Sequence, residues 1–388
     1  MHEPILYSVF MVFTGAAILA TLGLYARQSL LVIYIVLGVA LGPWGLRLIR
    51  DAALLEEAAH IGIIFLLFLL GLDLKPQRLV ASLRQSTIVT ALSSVAFGTA
   101  GAGIAVAFGF PFRDALLAGV ASMFSSTIIG VKLLPTTALH HQHVGQVIIG
   151  VLLLQDLLAI VALLVIEGLD REASPVWEAT LLLLHLPGLI LFAFLIERYL
   201  LVPLLRRFDG IQEYLFLVAI GWCLGMAQLS AALGLSAEIG AFIAGVAVAT
   251  HPIALFIAQS LRPLRDFFLV LFFFSLGAQL DLGLLAQVLV PALVMTAVLL
   301  LAKPLVFREL LVRAGESARL AHEVGVRLGQ LSEFSFLIAL KAVESGFASS
   351  SGAYLVKGST LLSFIVSAYW IGSHYPTPIA VSDRLRRD

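Results

Sequence analysis

The sequence predicts an all-α polytopic membrane protein of about thirteen transmembrane helices, folded as a single transport domain over residues 1–388. Three observations carry that reading. Hydrophobic residues make up 60% of the chain and charged residues 12%, against roughly 25% charged in a soluble domain. Mean hydropathy is +1.04, and runs close to the roughly 20 apolar residues that cross a bilayer follow one another from end to end. Basic residues are also dense in every second connection, as they are when a chain weaves through a membrane.

Charged or Pro/Gly-rich breaks bound each span in turn. The first, 4–24, has neither a basic leader nor a cleavage site and reads as a span, not a signal peptide. The next two, 29–43 and 59–74, are short and read as tilted, broken or half-buried. Spans 86–109, 114–134 and 144–168 follow, then 177–203. The second half repeats the rhythm with 211–230, 235–251, 264–281, 283–306, 322–345 and 353–373. Sorting the basic residues by connection puts 18 of the 24 Lys and Arg on one side, and that side is expected to be cytoplasmic. The N-terminus is then outside, the C-terminus inside, and the membrane is the cell's inner (plasma) membrane.

Formal net charge is zero, which gives nucleic-acid binding no electrostatic support. The single cysteine, Cys223, has no partner for an internal disulfide and reads as a small packing residue. His140, His141 and His143 read as a solvated cytoplasmic loop, favoured over a pH sensor or a zinc site. No cofactor is expected.

A repeat lies inside the apolar runs. "IIFLLFLLGLDL" (63–74) and "LVLFFFSLGAQLDL" (269–282) both close on Leu-Asp-Leu, with Asp73 and Asp281 separated by 208 positions. "YIVLGVALGP" (34–43) and "AFIAGVAVATHP" (241–252) place Gly38 and Gly245 at a separation of 207. Spans 1–6 then match spans 8–13. A shift of seven spans reverses membrane orientation, which makes the repeat an inverted one, as in many secondary transporters. The same offset of 207 carries Ser125 in "MFSSTIIG" onto Ser332 in "GQLSEFSF". Both words interrupt an apolar span with hydroxyls or an acid. Paired interruptions in corresponding spans point to a transporter's binding site. Ser125, Ser126, Thr127 and Ser332 are therefore candidate oxygen donors, with interhelical hydrogen bonding as the simpler role.

"VLLLQDLLAIVALLVI" (151–166) holds an amide and an acid, Gln155 and Asp156, among fourteen apolar residues. An Asp at the centre of a spanning helix costs roughly 2.5–3.5 kcal/mol on insertion scales. Burial favours the neutral form of a carboxyl and a bound cation favours the ionised form. Asp156 is therefore the candidate site for a monovalent cation in competition with a proton. Glu333 is the other acid at depth, with structural and ion-path roles left open. Glu238 reads as a solvated helix end. Lys303 falls near the predicted inner end of span 11 and is not counted with the site.

"GPWGLRLIRD", "GLDLKPQRL", "SSTIIG", Gln155-Asp156, "LFFFSLGAQLDLG" and "GQLSEFSF" together resemble the membrane domain of Kef-type potassium/proton antiporters, of the cation:proton antiporter-2 family. The resemblance implies two inverted six-helix repeats in a homodimer. It implies a core of roughly 86–168 and 283–373, with spans 5 and 12 broken and crossed. It further implies a dimerisation scaffold of roughly 1–85 and 204–282, and a linker helix of roughly 177–203. The family's ion-binding Asp falls on Asp156 and its Gln partner on Gln155. Exchange of K+, or of Na+, for protons is the implied activity, and one acid beside a neutral amide predicts that it is electroneutral. Two departures stand out. The usual Gly-Gly-Glu-Phe reads Leu331-Ser332-Glu333-Phe334, and no nucleotide-binding domain is expected after span 13. "GAGIAVAFG" (101–109) lies within a span and is no nucleotide fingerprint.

Enzymatic function is not expected. Neither Gly-x-Gly-Asp nor Gly-x-Ser-x-Gly occurs in the sequence. A sodium-coupled organic-solute carrier of related fold and a non-transporting channel or sensor remain as alternatives.

Overall fold

The computed structural model describes residues 5–26, 28, 30–49, 53–73, 76–133, 143–168, 175–208, 210–235, 237–251 and 253–377. His140 and His141 lie outside them. The chain builds helices α1 (Ile5–Tyr25), α2 (Leu30–Leu41), α3 (Ala53–Asp73), α4 (Pro76–Ala107), α5 (Phe112–Ser122), α6 (Thr127–Lys132) and α7 (His143–Gly168). Helix α8 (Pro175–Ile196) passes through one π turn (Glu197–Leu201) into α9 (Val202–Arg207). The remainder comprises α10 (Gln212–Ala232), α11 (Ala237–Val248), α12 (Ile253–Ala278), α13 (Leu282–Gln287) and α14 (Leu289–Arg313). Helices α15 (Ala318–Arg327), α16 (Phe334–Glu344) and α17 (Ser350–His374) complete it. Among the described residues, seven helices are long and apolar enough to cross a bilayer, and three shorter apolar helices accompany them.

Several helices outrun the apolar spans that betray them. Helix α4 starts at Pro76, where the missing N–H of proline costs nothing at a first helical position, and not at 86. Helix α12 starts at Ile253, eleven residues before its apolar run, and carries Arg262, Pro263, Arg265 and Asp266 inside it. Helix α14 runs to Arg313 instead of ending at 306. Its last turns expose an Arg313–Glu309 ion pair while Phe307 and Leu311 stay buried. Hydropathy marks the greasy middle of such helices, and their amphipathic ends continue past it.

Two compact units divide the chain. The first comprises Met1–Ala16, Tyr34–Ala81 and Arg171–Gln279, and the second Ala17–Ile33, Ser82–Asp170 and Leu280–Asp388. In the first unit, backbone meets backbone at glycine. A Cβ on Gly38 of α2 would strike the carbonyl oxygen of Phe274 in α12, and one on Gly245 of α11 would strike that of Phe68 in α3. The same holds for Gly71 against Phe242 and for Gly277 against Ile35. Each pair maps onto another by an offset of 206 or 207 positions. Such reciprocity is what a twofold-related repeat requires: α2 packs on α12 as α11 packs on α3. Small residues at these crossings let helices approach where lipid supplies no hydrophobic drive.

The second unit packs α4, α7, α14 and α15 around Val89, Phe97, Ile148, Val151, Leu152, Phe307, Leu311, Val324 and Leu328. Phe97 and Phe307 meet edge-on with centroids 5.2 Å apart. Asp114 in the first turn of α5 is buried. It accepts hydrogen bonds from the backbone N–H of Ser349 (2.7 Å) and the Ser349 hydroxyl (2.5 Å), tying the start of α5 to the start of α17.

Candidate functional site: a crossing of two broken helices

Both interrupted words break their helices. Residues 123–126 separate α5 from α6, and residues 328–333 separate α15 from α16. A break in a buried helix frees backbone donors and acceptors that must find partners where water is absent. The two breaks partly supply each other. The Ser125 hydroxyl donates to the Leu328 carbonyl (2.8 Å), and the Ser335 hydroxyl donates to the Ala121 carbonyl (2.8 Å). Ser126 caps α6, accepting from the Ile129 N–H, and Ser332 accepts from the Phe334 N–H at the start of α16.

The rest comes from neighbouring helices. Gln155 of α7 accepts from the Ser125 N–H (3.0 Å) and donates through Nε2 to the Met123 carbonyl (3.1 Å), so its amide fills the gap that the break leaves. At the second break, Ser363 of α17 accepts from the Leu331 N–H (3.0 Å). Gln330 donates to the Arg327 carbonyl (3.0 Å) and the Ser126 carbonyl (3.4 Å) and accepts from the Ser367 hydroxyl (2.9 Å). We expect Gln155→Leu to lower stability by about 2 kcal/mol, because one buried donor and one buried acceptor are stranded together. The thermal unfolding midpoint in detergent checks it, and an unchanged midpoint would refute the bracing role.

Asp156 follows Gln155 on α7 and is 2% exposed. Its partner among the described residues is the Thr127 hydroxyl, 2.9 and 3.1 Å from its two carboxyl oxygens. Glu333, also buried, acts electrostatically on Asp156. Two carboxyls that act on each other in this way do not both ionise comfortably unless a cation lies with them. Of the seven candidate residues, then, Thr127 touches Asp156 and Glu333 acts on it. Gln155, Ser125, Ser126 and Ser332 are engaged in holding the breaks open.

Lys303 corrects the sequence reading. It is the fifteenth of the 25 residues of α14, fully buried, and sits at the crossing. Its ammonium donates to the carbonyls of Phe124 (2.6 Å) and Gln330 (3.0 Å), with the Ser125 hydroxyl at 3.4 Å, and lies 5.1 Å from the Phe97 ring centroid. Phe124 and Gln330 lie in the breaks that follow α5 and α15, next to helix ends where partial negative charge collects. Asp156 and Glu333 lie at the opposite ends, beside the starts of α6 and α16. With span 11 drawn to end at 306, Lys303 falls three residues from that end and reads as lying near the inner surface. Arg327 and Gln330 were missed with it. The signal that was available is spacing: the two are three residues apart at the edge of an interrupted word.

This geometry can be set beside known proteins. The family model for the transmembrane sodium/hydrogen exchanger matches residues 9–373, nearly the whole chain. The chain belongs to the sodium/hydrogen exchanger family. It is an integral membrane protein of a cation:proton antiporter family, and that family is one of transporters, not an enzyme class. A relative from Cronobacter sakazakii, the glutathione-regulated potassium-efflux system protein KefC, is 33% identical over 310 residues. The match covers 79% of this chain and 50% of that protein, so the chain spans about half of KefC. The iron transporter MagA of Paramagnetospirillum magneticum is 28% identical over 374 residues, covering 96% of this chain and 86% of MagA. Among solved structures, the sodium proton antiporter MjNhaP1 from Methanocaldococcus jannaschii superposes with a TM-score of 0.68 at 18% identity, over 94% of this chain and 95% of that one. The all-helical antiporter fold of this exchanger is shared at that level.

Proposed function

We propose that the chain exchanges a monovalent cation, K+ in preference to Na+, for protons by alternating access, with Asp156 as the carrier. The observation that carries this reading is Asp156 itself, buried at the crossing and held by the hydroxyl of Thr127. A bare carboxylate in a medium of low dielectric is costly. Asp156 therefore crosses either protonated or beside a cation, and never empty. That exclusion couples the two flows. The KefC match supports K+ over Na+. Among the described residues, no three His, Cys, Asp or Glu side chains converge. The oxygen donors at the crossing suit a hard monovalent ion better than a transition metal. The protein works as a homodimer in the inner membrane, with the N-terminus outside and the C-terminus cytoplasmic.

Proteoliposomes carrying a pH dye test this. Proton efflux driven by K+, and more weakly by Na+, is expected. A response to iron(II) alone, to an organic solute alone, or to none of these would overturn it.

We further propose that exchange is electroneutral. Lys303 is a second titratable group that the sequence did not place at the crossing. Three oxygen acceptors surround its nitrogen, matching the three protons of an ammonium and exceeding the two of an amine. We infer that it keeps its proton through the cycle, so that one proton balances one cation. Solid-supported membrane recordings with K+ jumps at fixed pH should show no sustained current. A sustained current reversing at a two-to-one gradient ratio would mean that Lys303 or Glu333 gives up a proton in each cycle.

A further inference from the structure

We propose that Arg327 is a positioning residue for the cation site, acting through α6 on the contact between Thr127 and Asp156. The inference rests on the reading of Asp156 as the carrier. Arg327 ends α15 and is 1% exposed. Its charge has a partner within its own helix, since Nε donates to Glu323 one turn earlier (3.0 Å). The rest of the guanidinium is spent elsewhere. Nη1 donates to the carbonyl of Leu133 (3.0 Å), Nη2 to the carbonyl of Pro376 (3.1 Å), and the Tyr375 ring lies 5.3 Å from Cζ. Leu133 directly follows α6, and Pro376 follows the end of α17.

Helix α6 has six residues and is about 9 Å long. A helix that short has no stability of its own and keeps the position its neighbours impose. Both of its ends are held from the end of α15. Gln330 donates to the carbonyl of Ser126 at the N-terminal end, and Arg327 donates to that of Leu133 at the C-terminal end. Between them Gly130 faces Leu152 and Leu328, where an added Cβ would sit 3.3 and 3.4 Å from their methyl carbons, so little slack remains. Thr127 is the first residue of α6. A shift at Leu133 is therefore delivered to the hydroxyl that grips Asp156.

Lysine at 327 would keep the charge but lose the planar fork that reaches three acceptors at once. The test uses the full chain in proteoliposomes and reads the half-saturating concentration of K+ or Na+, whichever is carried better, at fixed pH. Arg327→Lys and Thr127→Ala should each raise it roughly fivefold, the effect of about one lost hydrogen bond. For Arg327→Lys the maximal rate should stay within about twofold, and the double variant should be no worse than the poorer single one. Glu323→Gln leaves the Leu133 bond in place and should leave half-saturation unchanged. Should Arg327→Lys not fold, Arg327→Gln takes its place with the same expectation. An unshifted half-saturation in the Arg327 variant, effects that multiply in the double variant, or an equal shift in Glu323→Gln would each overturn the proposal. Wild-type exchange by Asp156→Asn would instead bring down the reading of the carrier beneath it.

Discussion

Asp156→Asn should reduce cation-driven proton movement to that of protein-free liposomes while leaving the protein folded. Asparagine keeps the shape of the side chain and an oxygen for the Thr127 hydroxyl, 2.9 Å from the carboxylate it replaces. It removes the one property that the cycle uses, an ionisation that a proton and a cation can both satisfy. Stability should hold or rise, because a buried ionisable group is exchanged for a neutral one and the repulsion from Glu333 disappears. The pair of measurements matters more than either alone. A dead, unfolded variant says nothing about carriage. A dead variant with an equal or higher unfolding midpoint assigns the loss to chemistry. A well-folded variant that exchanges at the wild-type rate removes Asp156 from the pathway.

Lys303→Met should be the most destabilising single change in the second unit. Two effects oppose each other. Taking a charge out of a buried position relieves a desolvation cost, and this sometimes stabilises a protein. Against that, the carbonyls of Phe124 and Gln330 lose their shared donor at 2.6 and 3.0 Å. Each stranded acceptor costs about 1–3 kcal/mol. The second effect should win, because both acceptors lie in the breaks, outside any helical hydrogen-bond ladder. A net loss of roughly 2–5 kcal/mol follows, visible as a lower unfolding midpoint together with loss of exchange. Lys303→Arg, which restores donors and charge, should recover part of both. If Lys303→Met is as stable as the wild type, the half-helix ends are satisfied in some other way.

Part of this site is legible in the sequence. Ser125, Ser126 and Thr127 stand out because hydroxyls interrupt an apolar run, and Asp156 because nothing in its helix neutralises it. The offset of 207 then pairs the two interruptions. What the sequence does not carry is the direction of a side chain near a span end. Lys303 and Arg308 are five residues apart on α14, yet Lys303 is fully buried at the crossing and Arg308 is exposed. A hydropathy window scores both alike. Gln155 was picked out as a companion of the ion, because an amide beside an acid is conspicuous. Its two hydrogen bonds to the α5 break are invisible to spacing, since Met123 and Ser125 contribute only backbone atoms. The ends of α4, α12 and α14 were misjudged for a related reason: lipid selects for apolarity only along the part of a helix that it touches.

The glycine contacts of the first unit also set a timetable for the chain as it is made. Gly38 and Gly71 find their partners, Phe274 and Phe242, only after a further 236 and 171 residues have been synthesised. At roughly 5–20 residues per second, α2 and α3 wait from about ten seconds to the better part of a minute for the surfaces they fit. During that time their smooth, glycine-notched faces are open to lipid, to each other and to any other nascent helix. The inverted repeat that gives the mature protein its symmetry therefore makes its first half a dependent of its second. These faces can close only once α11 and α12 have entered the membrane, and a ribosome that stalls before then leaves a half-protein with no partner of its own to close upon.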